Sequence, residues 1–425
     1  MTITEKFVNH CYELYDNMFK NVNDLQIRQR KCNVANIFSV MIGSSFSDNK
    51  EINFEYLFKR NLSLASSTIS YWRNKIYSLF FDFDLHAYSV NNQIKCNYDF
   101  IKTHSKLFDR FNILAGDMTK CKSYYRNKSQ KGKNIASIGI SALFDIKHRT
   151  FRSYKISKTN NENEALLEQN MSKKDLIILD RFYSSPKLLS DLKKRTNFIV
   201  RLKKDHDPNK RTKKDHIEIE KFMKESANMK IVTIAGTRLK LVKYWIDKDT
   251  HSIILNKYKE DGTLTEDDYT DCFLLATNVI DLTIDECTFL YKRRWDIEVA
   301  FKHLKQNFRI RYICQSTNSK NPIKKCEFWY MMSFLMFNMT SILKNCIDTD
   351  NNTDCKFSEC ARFIRGSMSG SIKKYKIKMR LAILVKHKNY KRTKMRKTTR
   401  NITRGSYKSI YRIDMINARI EEDHG

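Results

Sequence analysis

Six polar residues near the middle of one amphipathic stretch share a face. Tyr291, Arg294, Glu298, Lys302, Lys305 and Arg309 fall within about 80° of one another on a helical wheel of 100° per residue. Leu290, Ile297, Phe301, Leu304 and Phe308 form an apolar seam beside them. A cationic stripe next to such a seam suits a phosphate backbone. The carboxylate inside the stripe, Glu298, reads in two ways: as a metal ligand at a scissile phosphate, or as a solvated ion-pair partner of its neighbours. Two further carboxylates close apolar runs, Asp117 in FNILAGD and Asp180 in DLIILD. Three carboxylates brought together can hold two divalent cations about 3.5–4 Å apart, an arrangement that serves in-line displacement at phosphorus. Hard oxygen ligands suit Mg²⁺ or Mn²⁺. Such a reaction requires no Ser, Tyr or Cys nucleophile.

The elements that must position these residues can be read from patterning. FNILAGD (111–117) alternates as a strand does, with Phe111, Ile113, Ala115 and Asp117 on one face. A basic loop, Lys120 to Lys133, follows. IASIGISALFDI (135–146) and TFRSYKIS (150–157) read as two more strands and NENEALLEQN (161–170) as a helix. DLIILD (175–180) has the unbroken apolar run of a strand covered on both faces. SSPKLLSDLKK (184–194) starts with a serine cap and a proline, then turns helical, and NFIVRLK (197–203) is another strand. Three strands in succession, then helix, strand, helix, strand, predict an α/β fold. Its form is a ribonuclease-H-like mixed sheet flanked by helices. KKDHDPNKRTKK (203–214) reads as a charged loop opening a β-strand insertion over about 205–280, with strands expected at 229–236, 238–246, 251–257 and 271–279. One long helix is expected from a capping box at Thr283 and Glu286 to about Phe308, and Phe328–Leu343 reads as a core helix.

Residues 1–105 read as a helical N-terminal domain. Within it, 61–80 predicts a helix with Ile69, Trp72 and Ile76 on one side and Ser70, Arg73, Asn74 and Lys75 on the other. That polarity fits a DNA-recognition helix, with Arg73 and Asn74 as contacts; it fits an ordinary amphipathic surface helix as well. Residues 106–345 form the expected catalytic domain and 346–425 a basic C-terminal region.

Charge narrows the partner. The 425 residues hold 79 Lys and Arg against 47 Asp and Glu, a net +32, which points to a polyanion. From Cys360 onward there are 19 Lys and Arg against four acids, and the 373–412 tract suits sequence-independent contact with phosphates. In a eukaryotic host Lys391–Arg400 would also read as a nuclear-import signal. A membrane partner is not expected: Cys32–Ser47 and Phe328–Leu343, the longest uncharged stretches, have 16 residues each, short of the roughly 18–20 of a bilayer span. The first twenty residues carry no apolar signal core. Eleven cysteines without a Cys-x-x-Cys pair argue against a zinc finger and for free thiols in a reducing compartment.

The spacing Tyr291, Arg294, Glu298, Lys305 resembles the Y-x2-R-x3-E-x6-K signature of insertion-sequence-4 family DDE transposases. LAGDMTK (114–120) is similar to that family's first-Asp region, LDRFYSSPKLLSDL (179–192) to its second, and YKRRWDIEVAFKHLKQ (291–306) to its third. The resemblance spans about residues 105–345. It implies that Asp117, Asp180 and Glu298 are the catalytic triad and ligate two Mg²⁺ or Mn²⁺ ions. It implies that Tyr291, Arg294 and Lys305 contact transposon-end DNA, with Lys302 and Arg309 beside them. The implied activity is cut-and-paste DNA transposition, with double-stranded inverted-repeat ends and target DNA as partners, and a homodimer to pair the two ends. The implied location is with the DNA, in the cytoplasmic nucleoid or, in a eukaryote, the nucleus. Two alternatives share the fold: an inactive or domesticated DNA-binding derivative, and a nuclease. Met118 and Phe182 stand where the family more often has small residues, and Trp295, at a frequent Trp position, is expected to pack.

Overall fold

The alternation of Phe111, Ile113 and Ala115 is that of a strand, and the strand runs further than its apolar part. In the computed structural model β1 covers Asn112–Lys122, taking in the start of the expected basic loop. The structure describes residues 44, 85, 98–122, 137–158, 162–202, 213–234, 236–245, 272–310, 322–351 and 355–368. Arg73, Asn74, the expected strand at 251–257 and the 373–412 basic tract lie outside these residues. Two short helices, α1 (Asp99–Thr103) and α2 (Ser105–Arg110), lead into β1. Then β2 (Ser137–Asp145) and β3 (Thr150–Lys158) pair antiparallel in turn.

The next elements are α3 (Glu162–Leu167), β4 (Asp175–Leu179), a single 3₁₀ turn (Arg181–Tyr183), α4 (Pro186–Arg195) and β5 (Asn197–Arg201). β4 lies parallel to β1 and β5 parallel to β4, the ribonuclease-H-like order. Ser185 occupies the N-cap position of α4 but its side chain makes no capping bond, so the start of that helix rests on Pro186 and its fixed φ.

The insertion differs from its sequence reading. Helix α5 (Lys213–Lys224) stands where a charged loop and its sequel were expected. Ile219 and Phe222, three residues apart, are buried there, and the charges that suggest a loop belong to the outer side of an amphipathic helix. β6 (Met229–Ile234), β7 (Thr237–Trp245) and β8 (Cys272–Thr277) extend the main sheet. β8 pairs with β5, giving eight strands in the order β3-β2-β1-β4-β5-β8-β7-β6.

After β8 the expected single helix is two. The Thr283 hydroxyl accepts from the Glu286 N–H at 3.1 Å, and the Thr283 N–H donates to the Glu286 carboxylate at 2.8 Å, so the capping box starts α6 (Ile284–Arg293). α7 (Trp295–Asn307) follows directly. At the junction Arg294 keeps helical angles, but its N–H bonds to the Tyr291 carbonyl three residues back at 3.0 Å, tightening that turn. α8 (Pro322–Asn351) and α9 (Phe357–Met368) complete the described chain. α8 crosses residue 345, where the sequence places a boundary, and Phe357, Cys360 and Ile364 of α9 share its core. Residues Phe328–Leu343 are buried throughout, as a core helix requires. No helix among the described residues is long and apolar enough to cross a membrane.

The sheet is covered on both faces. Leu176 and Ile178 enter one core, shared with α1, α2 and α6 to α9, while Ile177 and Leu179 enter the other, shared with α3, α4 and α5. This is why the four residues Leu176–Leu179 of β4 are all apolar. Edge strand β3 is tied down by α8: Asn338 accepts from the Phe151 N–H and donates to the Phe151 carbonyl, both at 2.7 Å and buried. Asn338→Ala leaves two backbone groups unpaired, and the expected loss is about 2–4 kcal/mol. Calorimetry would record it as a melting point lowered by several degrees, and an unchanged melting point would refute it.

Candidate active site

β1 and β4 set the two aspartates level with each other. Their parallel register ends with Ala115 opposite Ile178; continued two residues past that last pair, it brings Asp117 level with Asp180, the residue that follows β4. Both have the parity of Ala115 and Ile178, so they project on the face covered by α6 and α7. Asp117 is not at the end of its strand, as the sequence suggests; it lies just past the point where β1 stops pairing with β4 and continues with β2 alone. Gly116 permits the close approach of β4, since a Cβ there would lie 2.7 Å from Leu179 Cδ2. Met118 has room because the neighbouring strand carries Gly139, whose Cβ would lie 2.7 Å from Met118 Sδ.

The helices close over this edge. Arg294 Nη2 pairs with Glu298 Oε1 at 2.6 Å, with the arginine side chain 12 % and the glutamate 33 % exposed. The Tyr291 hydroxyl makes a long contact, 3.5 Å, to Asp180 Oδ1. Tyr291 is buried against Tyr244 of β7 and Phe273 of β8, ring centroids 6.2 and 6.4 Å away. The Arg201 guanidinium lies over Phe273 at 3.6 Å. The insertion strands therefore build the wall behind Tyr291. Sequence reasoning missed Arg201, Tyr244 and Phe273, whose contacts join segments far apart in the chain and follow no spacing rule.

Charge is concentrated here. Burial pushes the Asp117 carboxyl up to about 7; Arg294 and the Met118 N–H, which donates to its Oδ1 at 2.8 Å, pull it down, and Glu298 and Asp180 add to the rise. Burial opposes the charge of Arg294, yet Tyr291, Asp180, Glu298 and Asp117 together hold its guanidinium above the ordinary value. Burial, then Asp180, raises the Tyr291 phenol. Arg294 is thus a mostly buried cation in the field of three carboxylates.

Asp117 and Glu298 line one cavity of about 340 Å³, with Lys302 and Lys305 also on its wall. Asp180 does not line it and meets the group through Tyr291 and the field around Arg294. Among the described residues no three His, Cys, Asp or Glu side chains are drawn together closely enough to hold one metal ion. The donor chemistry nonetheless fits Mg²⁺ or Mn²⁺: the oxygens are all carboxylate, and one guanidinium, Arg294, stands among three carboxylates.

The remaining expected residues are placed differently. Lys302 is exposed and Lys305 half-buried. Arg309 lies beyond the end of α7 in the left-handed region, at φ 51°, so the wheel that put it in the cationic stripe no longer applies. Trp295, expected to pack, is 51 % exposed, because it begins α7 on the outer side of the Arg294 junction. Phe182 is 65 % exposed in the turn after Asp180.

The family model described as "Transposase DDE domain" matches residues 100–331, more than half of the chain. No curated protein matches it. Among solved structures, the cryo-electron-microscopy structure of a piggyBac transposase synaptic complex with hairpin DNA aligns at a TM-score of 0.40. The alignment has 10 % identity and covers 83 % of this chain and 76 % of that one, a likeness too distant to carry meaning. The family match spans β1 with Asp117, β4 with Asp180 directly after it, and α7 with Glu298, and the chain belongs to the DDE transposases, a family of metal-dependent polynucleotidyl transferases and nucleases.

Proposed function

We propose that this chain is a transposase of the insertion-sequence-4 type, which binds transposon ends and cuts and rejoins DNA at the site above. The observation that carries the reading is the shared level of Asp117 and Asp180 on neighbouring strands, with Arg294 and Glu298 of the Y-x2-R-x3-E-x6-K segment folded over them. Asp117, Asp180 and Glu298 would hold two divalent cations, Mg²⁺ or Mn²⁺; such ions supply an activated water and stabilise the leaving oxygen. The protein's own groups do the rest. Lys302 and Lys305 draw phosphates into the cavity beside Asp117 and Glu298. Arg294 neutralises the carboxylates and holds Glu298 in place. Tyr291, backed by Tyr244 and Phe273, orients Asp180. Arg294 and Tyr291 meet DNA at the cleaved phosphate, and Lys305 meets the flanking backbone.

Residues 1–105, with Arg73 and Asn74, would recognise inverted-repeat ends. Arg309 and the basic region 346–425 would add sequence-independent contact. Two such chains would pair two ends, and the protein would reside with the DNA. The test uses purified protein, a duplex carrying the inverted repeats that flank its gene, and a target plasmid. With Mg²⁺, nicks leaving 3′-OH ends and then plasmid-joined products are expected, and EDTA should abolish both. Nicking without joined products would mark a nuclease. Binding without cleavage in either Mg²⁺ or Mn²⁺ would overturn the catalytic reading.

A further inference from the structure

Thr119 lines the same cavity as Asp117 and Glu298 but has no part in the mechanism above. It stands two residues after Asp117 on β1 and on the same face: Ile113, Ala115 and Cys121, which share its parity, all enter the core under α6 to α9. Thr119 is only 5 % exposed, and its hydroxyl makes no hydrogen bond to another described residue. Valine has the same outline and the same preference for strands. It would fill this position without leaving a polar group unpaired, so the hydroxyl calls for a reason other than packing.

The cavity supplies one. Lys302, Lys305 and Gln306 of α7 bring donors to its wall, and Asp117 and Glu298 bring acceptors. On the β1 side the Met118 side chain has no donor to offer. The β1 backbone is engaged with β2, Thr119 lying opposite Ile140, and strand N–H groups point along the sheet towards the neighbouring strand. Among the described lining residues, the Thr119 hydroxyl is therefore the side-chain donor that β1 presents. It lies about 6.7 Å beyond Asp117 along the strand, so the two side chains meet different atoms of a ligand. A phosphodiester has non-bridging oxygens that accept such a bond, and neutral hydroxyls commonly fix the register of a DNA backbone in this way.

We propose that Thr119 is a DNA-contacting residue of the cleavage reaction, its hydroxyl donating to a non-bridging oxygen of the phosphate drawn into the cavity. The contact fixes that phosphate between the carboxylates and the lysines. The inference rests on this cavity being the cleavage site, as proposed above. Because the hydroxyl is neutral, it acts on the placement of the phosphate and not on the electrostatic part of DNA affinity.

The experiment compares wild type, Thr119→Val, Thr119→Ser and Asp117→Asn in the full chain, in single-turnover nicking of an end-labelled duplex at saturating protein. For Thr119→Val nicking is expected to slow about 10–100-fold, the loss of one hydrogen bond to a charged group. The Mg²⁺ needed for half-maximal nicking and the salt slope of DNA binding should not change, and the melting point should equal or exceed that of wild type. Thr119→Ser, which keeps the hydroxyl, should nick close to the wild-type rate. On duplexes scanned with single methylphosphonates, one position should slow wild type and leave Thr119→Val no slower. If Thr119→Val nicks as wild type does while Asp117→Asn does not, the contact is refuted and the cleavage site stands. A raised Mg²⁺ requirement in Thr119→Val would assign the hydroxyl to the carboxylates, and a melting point well below wild type would assign it to the fold; either overturns the proposal, as does a scan in which no position loses its effect. If wild type does not nick, or Asp117→Asn nicks as wild type does, the cleavage site itself is wrong and the contact falls with it.

Discussion

Glu298→Gln is expected to lower strand cleavage by about 10³-fold or more while leaving the affinity for end DNA within a few-fold of wild type. Glutamine has the shape of glutamate and keeps an oxygen that can accept from Arg294, so the 2.6 Å contact and the packing of α7 on β1 can persist. Only the charge is removed. The side chain is one-third exposed, so the fold should tolerate the change, and calorimetry should find the melting point close to that of wild type. A thousandfold loss corresponds to about 4 kcal/mol of transition-state stabilisation. Preorganised charge at a reacting phosphate commonly contributes that much. The assay pairs a time course of nicking on an end-labelled duplex with a mobility shift on the same DNA. Cleavage that continues at more than about a tenth of the wild-type rate in Mg²⁺ would remove Glu298 from the catalytic set. Equal losses in cleavage and in binding would reassign it to DNA contact.

How much of this site could be read from sequence depends on how local each signal is. The parity of Ile113, Ala115 and Asp117 settled which face Asp117 would take, because strand alternation needs only neighbours. The uninterrupted apolar run before Asp180 correctly implied a strand covered on both sides. Thr283 and Glu286 marked the start of α6 through a reciprocal bond four residues wide. Readings failed where the deciding contact was distant or the signal mixed. The charges on α5 hid the helix because its buried pair, Ile219 and Phe222, is short beside its Lys and Glu. Arg309 left the stripe because α7 ends at Asn307, which a wheel has no means of showing. The wall of Tyr244 and Phe273 behind Tyr291 depends on strand pairing that spacing does not encode.

Arg294→Ala is the change expected to reach both stability and DNA binding, and the reason lies in where its charge sits. An exposed cation on a helix face would contribute to DNA affinity alone. Arg294 is instead mostly buried, ion-paired to Glu298, and in the field of Asp180 and Asp117. Its removal leaves three carboxylates without their central counter-charge. Breaking a buried pair on one side typically costs about 3 kcal/mol or more, so without divalent ions the melting point should fall markedly. Millimolar Mg²⁺ should recover part of the loss, because a cation that binds the folded state in place of the guanidinium stabilises it by mass action. On DNA containing the cleavage site, the slope of log affinity against log salt should become shallower by about 0.9, the share of one phosphate contact. Lys305→Ala provides the contrast: it lines the cavity beside Glu298 and is only half-buried, so it should change the salt slope similarly and leave the melting point alone. If Arg294→Ala lowers the melting point but not the slope, the guanidinium serves the carboxylates and does not touch DNA. If it changes the slope with no thermal penalty in the absence of metal, the charge cluster described here does not bear on folding, and the stripe acts as a plain phosphate-binding surface.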